Sequence, residues 1–126
     1  MSDGERSTLL AIIEQGGYPN FTPLYEQAGY QVVIERSMRK ALTFLKKTNP
    51  AVIVAEFNFQ SDFRDRTSSL ESLLAVVQRL PGAKVIVFYE QEHAHQLAKL
   101  QANFPDIVAM TYPIKPEQLA GSLALT

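Results

Sequence analysis

Four side chains stand where strand-like runs of this chain end, and their types suit acid, base and charge-stabilising chemistry: Glu14, Glu56, Tyr89 and Lys115. Two carboxylates can hold a cation or move a proton, a lysine can neutralise an anion, and a phenol can donate a hydrogen bond. Convergent titratable groups in a cleft are candidates for catalysis or binding. A small α/β enzyme would use Glu14, Glu56 and Lys115 as acid, base and electrostatic stabiliser. No nucleophile motif or cofactor fingerprint accompanies them, so this stands as an alternative. Gly16-Gly17 lies outside any GxGxxG or GxxxxGK[ST] pattern and is a weak phosphate-loop signal. His93 and His95 are two apart and point to different sides of a helix, which excludes the i, i+4 pair of helical metal sites. No metal ligand set is assigned.

The elements that must position these groups follow from apolar patterning. Residues 51–55 (Ala-Val-Ile-Val-Ala) lack polar alternation and read as a strand buried on both faces, with Glu56 at its C-terminal end. Residues 8–13 form a second such run, closed by Glu14. Residues 30–34 alternate, as at a sheet edge, and residues 83–88 and 107–110 complete five predicted strands. Between them lie helical patterns. Thr22 is the expected cap of a short helix with Pro23 at its first position. Ser37 is the expected cap of the next, whose Met38, Ala41, Leu42 and Leu45 share a face while Arg39, Lys40, Lys46 and Lys47 form a solvated one. Ser68 to Glu71 resembles a capping box ahead of the stripe Leu70, Leu73, Leu74 and Val77, stopped by Pro81-Gly82. Ala94, Leu97, Ala98 and Leu100 mark a fourth helix, and Leu119 and Leu123 a fifth after Lys115-Pro116. Regular alternation implies a parallel sheet with helices on both sides and all strand C-termini on one edge. Glu14, Glu56, Tyr89 and Lys115 therefore converge on one small site.

Composition narrows the classes. With 126 residues and 46% apolar content, a single domain spanning 1–126 is expected. A formal charge of -1 gives no global footprint for nucleic acid. The absence of cysteine removes disulfides and thiolate chemistry. No apolar run approaches membrane-spanning length and no signal-peptide pattern follows the N-terminus, so the expected location is cytoplasmic, with no nucleic-acid or membrane partner.

The stretches Pro50 to Glu56, Ala83 to Tyr89 and Tyr112-Pro113-Ile114-Lys115-Pro116 resemble the receiver domain of two-component response regulators, over nearly the whole chain. The resemblance implies an α/β, flavodoxin-like, doubly wound sheet of five parallel strands in the order 2-1-3-4-5. It also implies a site in which an acidic pair and an aspartate hold Mg²⁺, the aspartate accepts a phosphoryl group from a histidine kinase, a Ser or Thr hydrogen-bonds that group, and a Lys-Pro lysine neutralises it. Here the pair corresponds to Glu14 and Gln15, the phosphoacceptor to Glu56, the hydroxyl position to Tyr89, and the lysine and proline to Lys115 and Pro116. Tyr112 matches the aromatic switch position, and the Lys115-Pro116 bond is expected to be cis by the same resemblance.

Every departure weakens phosphoryl chemistry. Losing one carboxylate and lengthening two others spoils the compact octahedral coordination of Mg²⁺, so no cofactor is expected. Glu56 displaces its carboxylate beyond the tolerance of in-line transfer. Two accounts of Glu56 follow. It imitates the phosphorylated state by reaching Lys115, with one charge against about 1.5 to 2 for a phosphoryl group; or, the favoured account, it forms a structural ion pair while Tyr89 fills the space. The expected function is a phosphorylation-independent signalling module that binds a protein partner, a histidine kinase or downstream effector, and is not an enzyme. A homodimer through the fifth strand and last helix is a further expectation, with His93, His95 and Leu100 joining that face. Phe63, Arg64 and Arg66 in the polar segment 60–67 are candidate partner contacts, because they combine apolar and cationic groups. The alternatives are a phosphorylatable receiver using Asp62 or Asp65, and a receiver fragment of a longer regulator.

Overall fold

The computed structural model describes residues 7–57, 68–80 and 82–123. Strands β1 (Ser7–Ile12), β2 (Tyr30–Glu35), β3 (Val52–Glu56), β4 (Lys84–Tyr89) and β5 (Val108–Thr111) make one five-stranded sheet, parallel throughout, in the order β2-β1-β3-β4-β5. Helices α1 (Thr22–Gln27), α2 (Met38–Leu45), α3 (Ser68–Val77), α4 (Ala94–Asn103) and α5 (Pro116–Leu123) connect and follow them, and a 3₁₀ turn at Gln91–His93 precedes α4. This is the doubly wound, flavodoxin-like arrangement expected above.

Pleating divides the apolar residues between two cores. Strand side chains point alternately to opposite faces. Leu10, Ile12, Ile53, Ala55, Val85 and Val87 therefore pack on one side against α2, α3 and α4. Leu9, Ala11, Val52, Val54, Ile86 and Phe88 pack on the other against Phe21 and Tyr25 near and within α1 and Leu119 and Leu123 of α5. Full burial of each of the Val, Leu, Ile and Phe side chains among them contributes about 1.5–3 kcal/mol relative to exposure. Because β3 lies between β1 and β4 and under both layers, all five of its residues are buried. The alternating strand β2 lies at the sheet edge, where Ile34 is 38% exposed.

Local signals mostly hold, with three corrections. Ser37 caps α2 with extended backbone, and its Oγ accepts the Lys40 amide proton at 3.2 Å. Thr22 is not a cap: Phe21 occupies that position, Thr22 begins the helix, and the Asn20 side-chain oxygen accepts the Thr22 N–H at 3.1 Å. Helix α3 ends at Val77, ahead of the predicted stop at Pro81-Gly82, and its stripe Leu70, Leu73, Leu74 and Val77 is buried as expected. Ala98 of α4 is exposed; Leu97 and Leu100 bury that helix's face. Among the described residues no helix is long and apolar enough to cross a membrane.

Candidate functional site

Period two along β3 decides where the central carboxylate goes. Val52 and Val54 face the α1/α5 core, so Glu56 faces that side, while Phe57 packs with Ala55 in the opposite core. Register sets Glu56 beside Phe88 of β4. Only 3% of Glu56 is exposed, and among the described residues it alone combines a charged side chain with burial of this degree. An ionised carboxylate buried so deeply must be hydrogen-bonded to persist.

The loop from β1 to α1 supplies those bonds. Gln15 N–H donates to Oε1 at 2.9 Å, Gly16 N–H to Oε2 at 3.1 Å, and the Tyr18 hydroxyl to Oε2 at 2.6 Å. Gly16 and Gly17 have φ of 68° and 85°, a left-handed conformation that lets the loop wrap back over the strand ends. Two successive backbone N–H groups on one anion form a nest, and charge-assisted bonds of this kind are about twice as strong as neutral ones.

Tyr18 is held by its ring as well as its hydroxyl. It lies between Phe21 and Tyr112, with centroids at 6.2 and 5.8 Å in stacked orientations, and meets Phe88 edge-on at 5.3 Å. Burial pushes the Tyr18 phenol well above its ordinary range, and donation to Glu56 and the Glu56 charge push it further. Burial first, then the charges of Glu56 and Glu90, raise the Tyr112 phenol. The phenols are thus donors that keep their protons. The loop has a cleft on either side, of about 490 Å³ and about 600 Å³.

No family model matches the sequence, and no curated protein matches it. Solved structures do. A response regulator receiver protein from Sinorhizobium medicae superposes with a TM-score of 0.69 at 20% identity, covering 94% of each chain. The chemotaxis protein CheY4 of Vibrio cholerae gives 0.68 at 16% identity, covering 93% of this chain and 96% of its own. A streptococcal redox sensor described as evolved from two-component response regulators gives 0.68 at 15% identity, covering 93% of this chain and 49% of its own.

The fold is that of receiver domains.

Within the receiver fold the expected site residues separate. Glu56 is central, and Gln15 joins it through its backbone N–H, while Glu14 is exposed. Tyr89 does not fill the pocket: it points with Val85 and Val87 into the opposite core, because it is one residue out of phase with Phe88. The pocket aromatics are Tyr18, Phe88 and Tyr112. Lys115 is exposed, its carbonyl accepts Leu119 N–H at 3.0 Å in the first turn of α5, and among the described residues no ion pair joins it to Glu56. The expected ion pair is therefore replaced by the nest and the Tyr18 hydroxyl.

Pro116 starts α5, and the cis bond lies three residues earlier, at Tyr112-Pro113. Tyr112, whose N–H donates to Tyr89 O at 3.0 Å, thus takes the place beside the cis proline where the resemblance puts the lysine. Leu100 is 5% exposed and cannot join a contact face; His95 is exposed, and His93 lines the larger cleft. Phe63, Arg64, Arg66, Asp62 and Asp65 lie outside the described residues. Among the described residues no group of three or more His, Cys, Asp or Glu is placed to hold a metal ion.

Tyr18 and Phe21 were not singled out by the sequence because they sit in a loop with no periodicity. Their signal was composition: aromatics three apart directly after Gly16-Gly17, beside a strand end that carries a carboxylate.

Proposed function

We propose that the protein is a receiver-like module of a signalling pathway in the cytoplasm that works by binding a protein partner, with no phosphoryl transfer and no enzymatic turnover of its own. The observation that carries this reading is the engagement of both Glu56 oxygens by the donors of Gln15, Gly16 and Tyr18. A phosphoacceptor must present a lone pair in line with the phosphorus and beside its metal. Oxygens facing N–H and O–H donors are weakened as nucleophiles, and the same donors present their positive ends where Mg²⁺ would have to sit. The donor set accordingly does not fit Mg²⁺: the acidic pair is reduced to Glu14, and Glu14 is exposed where Glu56 is buried. The streptococcal redox sensors described as evolved from response regulators support the idea that this fold can serve sensing of another kind.

Intact-mass analysis after Mg²⁺ and a small-molecule phosphodonor tests the proposal. The expected mass is unchanged. A stoichiometric phosphoryl group on Glu56, or on Asp62 or Asp65, overturns it and makes the protein a live phosphorelay component.

A further inference from the structure

The two clefts beside the β1–α1 loop differ in charge. The smaller has both Glu14 and Arg36 in its wall, so its charges balance. The larger is bounded by Tyr18, Phe57, Glu90, His93, Tyr112 and Ile114, and no lysine or arginine is among its described lining residues. Its wall sets the rings of Tyr18 and Tyr112 and the aliphatic Pro113 and Ile114 beside the polar turn from Gln15 to Gly17, with the exposed Glu90 at the end of β4 as the anionic group open to a ligand. The Tyr112 hydroxyl feels the negative charges of Glu56 and Glu90 together, so the field in the cleft favours a cation. Glu56 already accepts bonds from Gln15, Gly16 and Tyr18 among the described residues, so Glu90 is the more open carboxylate to meet the incoming charge.

We propose that this cleft receives an arginine side chain of the protein partner, with its guanidinium directed at Glu90 and its flat face and stem against Tyr112. A guanidinium is planar and weakly hydrated and is attracted to aromatic faces, whereas an ammonium gives up more hydration on entering such a cleft. Phosphate is repelled by both carboxylates. The polarity is thus opposite to that of a phosphoryl-binding pocket, and the inference rests on the partner-binding reading above by naming the chemistry that the partner presents.

The test is an amide-NMR titration of the whole protein with a short arginine-containing peptide amide, its citrulline counterpart and inorganic phosphate. Expected are shifts at Gln15 to Tyr18, Glu90 and Tyr112 with the arginine peptide, and binding weaker by about tenfold or more with citrulline, which keeps the shape without the charge. Glu90→Gln should weaken the arginine peptide about three- to tenfold, Glu90→Arg should abolish binding, and Glu117→Gln, on the exposed first turn of α5 outside the cleft, should leave it unchanged. Equal binding of citrulline, preference for phosphate, or shifts confined to other surfaces overturns the inference. Phosphoryl transfer is scored separately by mass, so a protein that is phosphorylated yet binds arginine here loses the broader reading and keeps this one.

Discussion

At the scale of single residues, the bond between Tyr18 and Glu56 makes the strongest claim. Glu56 Oε2 accepts one hydrogen bond from the Gly16 N–H and one from the Tyr18 hydroxyl, and the phenol is flanked by Phe21 and Tyr112, so neither partner can relax far if the other is lost. Tyr18→Phe keeps the ring and deletes the donor. A hydrogen bond to a charged group contributes about 1.5–3 kcal/mol, and that is the expected loss in urea unfolding at unchanged m. Glu56→Gln keeps the shape but turns an NH₂ toward at least one of the three donors, and should cost at least as much. The double variant should lose less than the sum, with a coupling of about 1 kcal/mol or more, since both changes remove the same bond. Additive losses in the double-mutant cycle refute the coupling. Sequence reasoning found Glu56 because a carboxylate ends a run buried on both faces, but the partner of that carboxylate is set by how far a loop folds back. That distance leaves no periodic trace.

At the scale of elements, strands and helices were legible because burial imposes its period on the sequence. The uninterrupted apolar run 51–55 became the central strand, the alternating run became the edge, and the helical stripes found a core, Ala98 of α4 excepted. Most of what was misread at the pocket lies at element ends, where one residue changes the face. Tyr89 and Phe88 differ by one position and point into opposite cores. The Lys-Pro pair was read as a pocket motif, yet Lys115-Pro116 begins α5 by its own helix chemistry, with proline at the first position and the preceding carbonyl accepting from Leu119. These two outcomes separate experimentally. Lys115→Ala should change stability by less than about 0.5 kcal/mol, as for an exposed side chain without a structural partner. Gly16→Ala should cost about 1–2 kcal/mol: the nearest contact of the new Cβ, Ile13 Cγ2 at 3.5 Å, is ordinary, but φ of 68° penalises any side chain. An ion-pair pocket predicts the reverse order in the same denaturation series.

At the scale of the whole molecule, the aromatic cluster joins the loop after β1, the start of α1, β4 and the segment after β5, so its ionisation reports on the entire fold. Tyr18, Tyr25, Tyr30 and Tyr112 all have phenols raised above the ordinary range, with burial the largest cause in each. In the unfolded chain they titrate near 10. Between that value and the higher folded ones the native state binds more protons than the unfolded state, so stability falls as pH rises. The contribution is fully present below about pH 10 and is lost above it, at about 1.4 kcal/mol per pH unit for each phenol that the fold holds protonated, such as Tyr25. Tyrosinate absorbance from these groups should therefore appear together with the loss of helical circular dichroism, in one cooperative step above pH 10. Tyr18→Phe should make the alkaline decline shallower, because one group that suppresses ionisation in the native state is gone. If the tyrosinate signal develops completely near pH 10 while the dichroism stays native, the phenols are not held by the fold, and the Glu56 pocket is open to water.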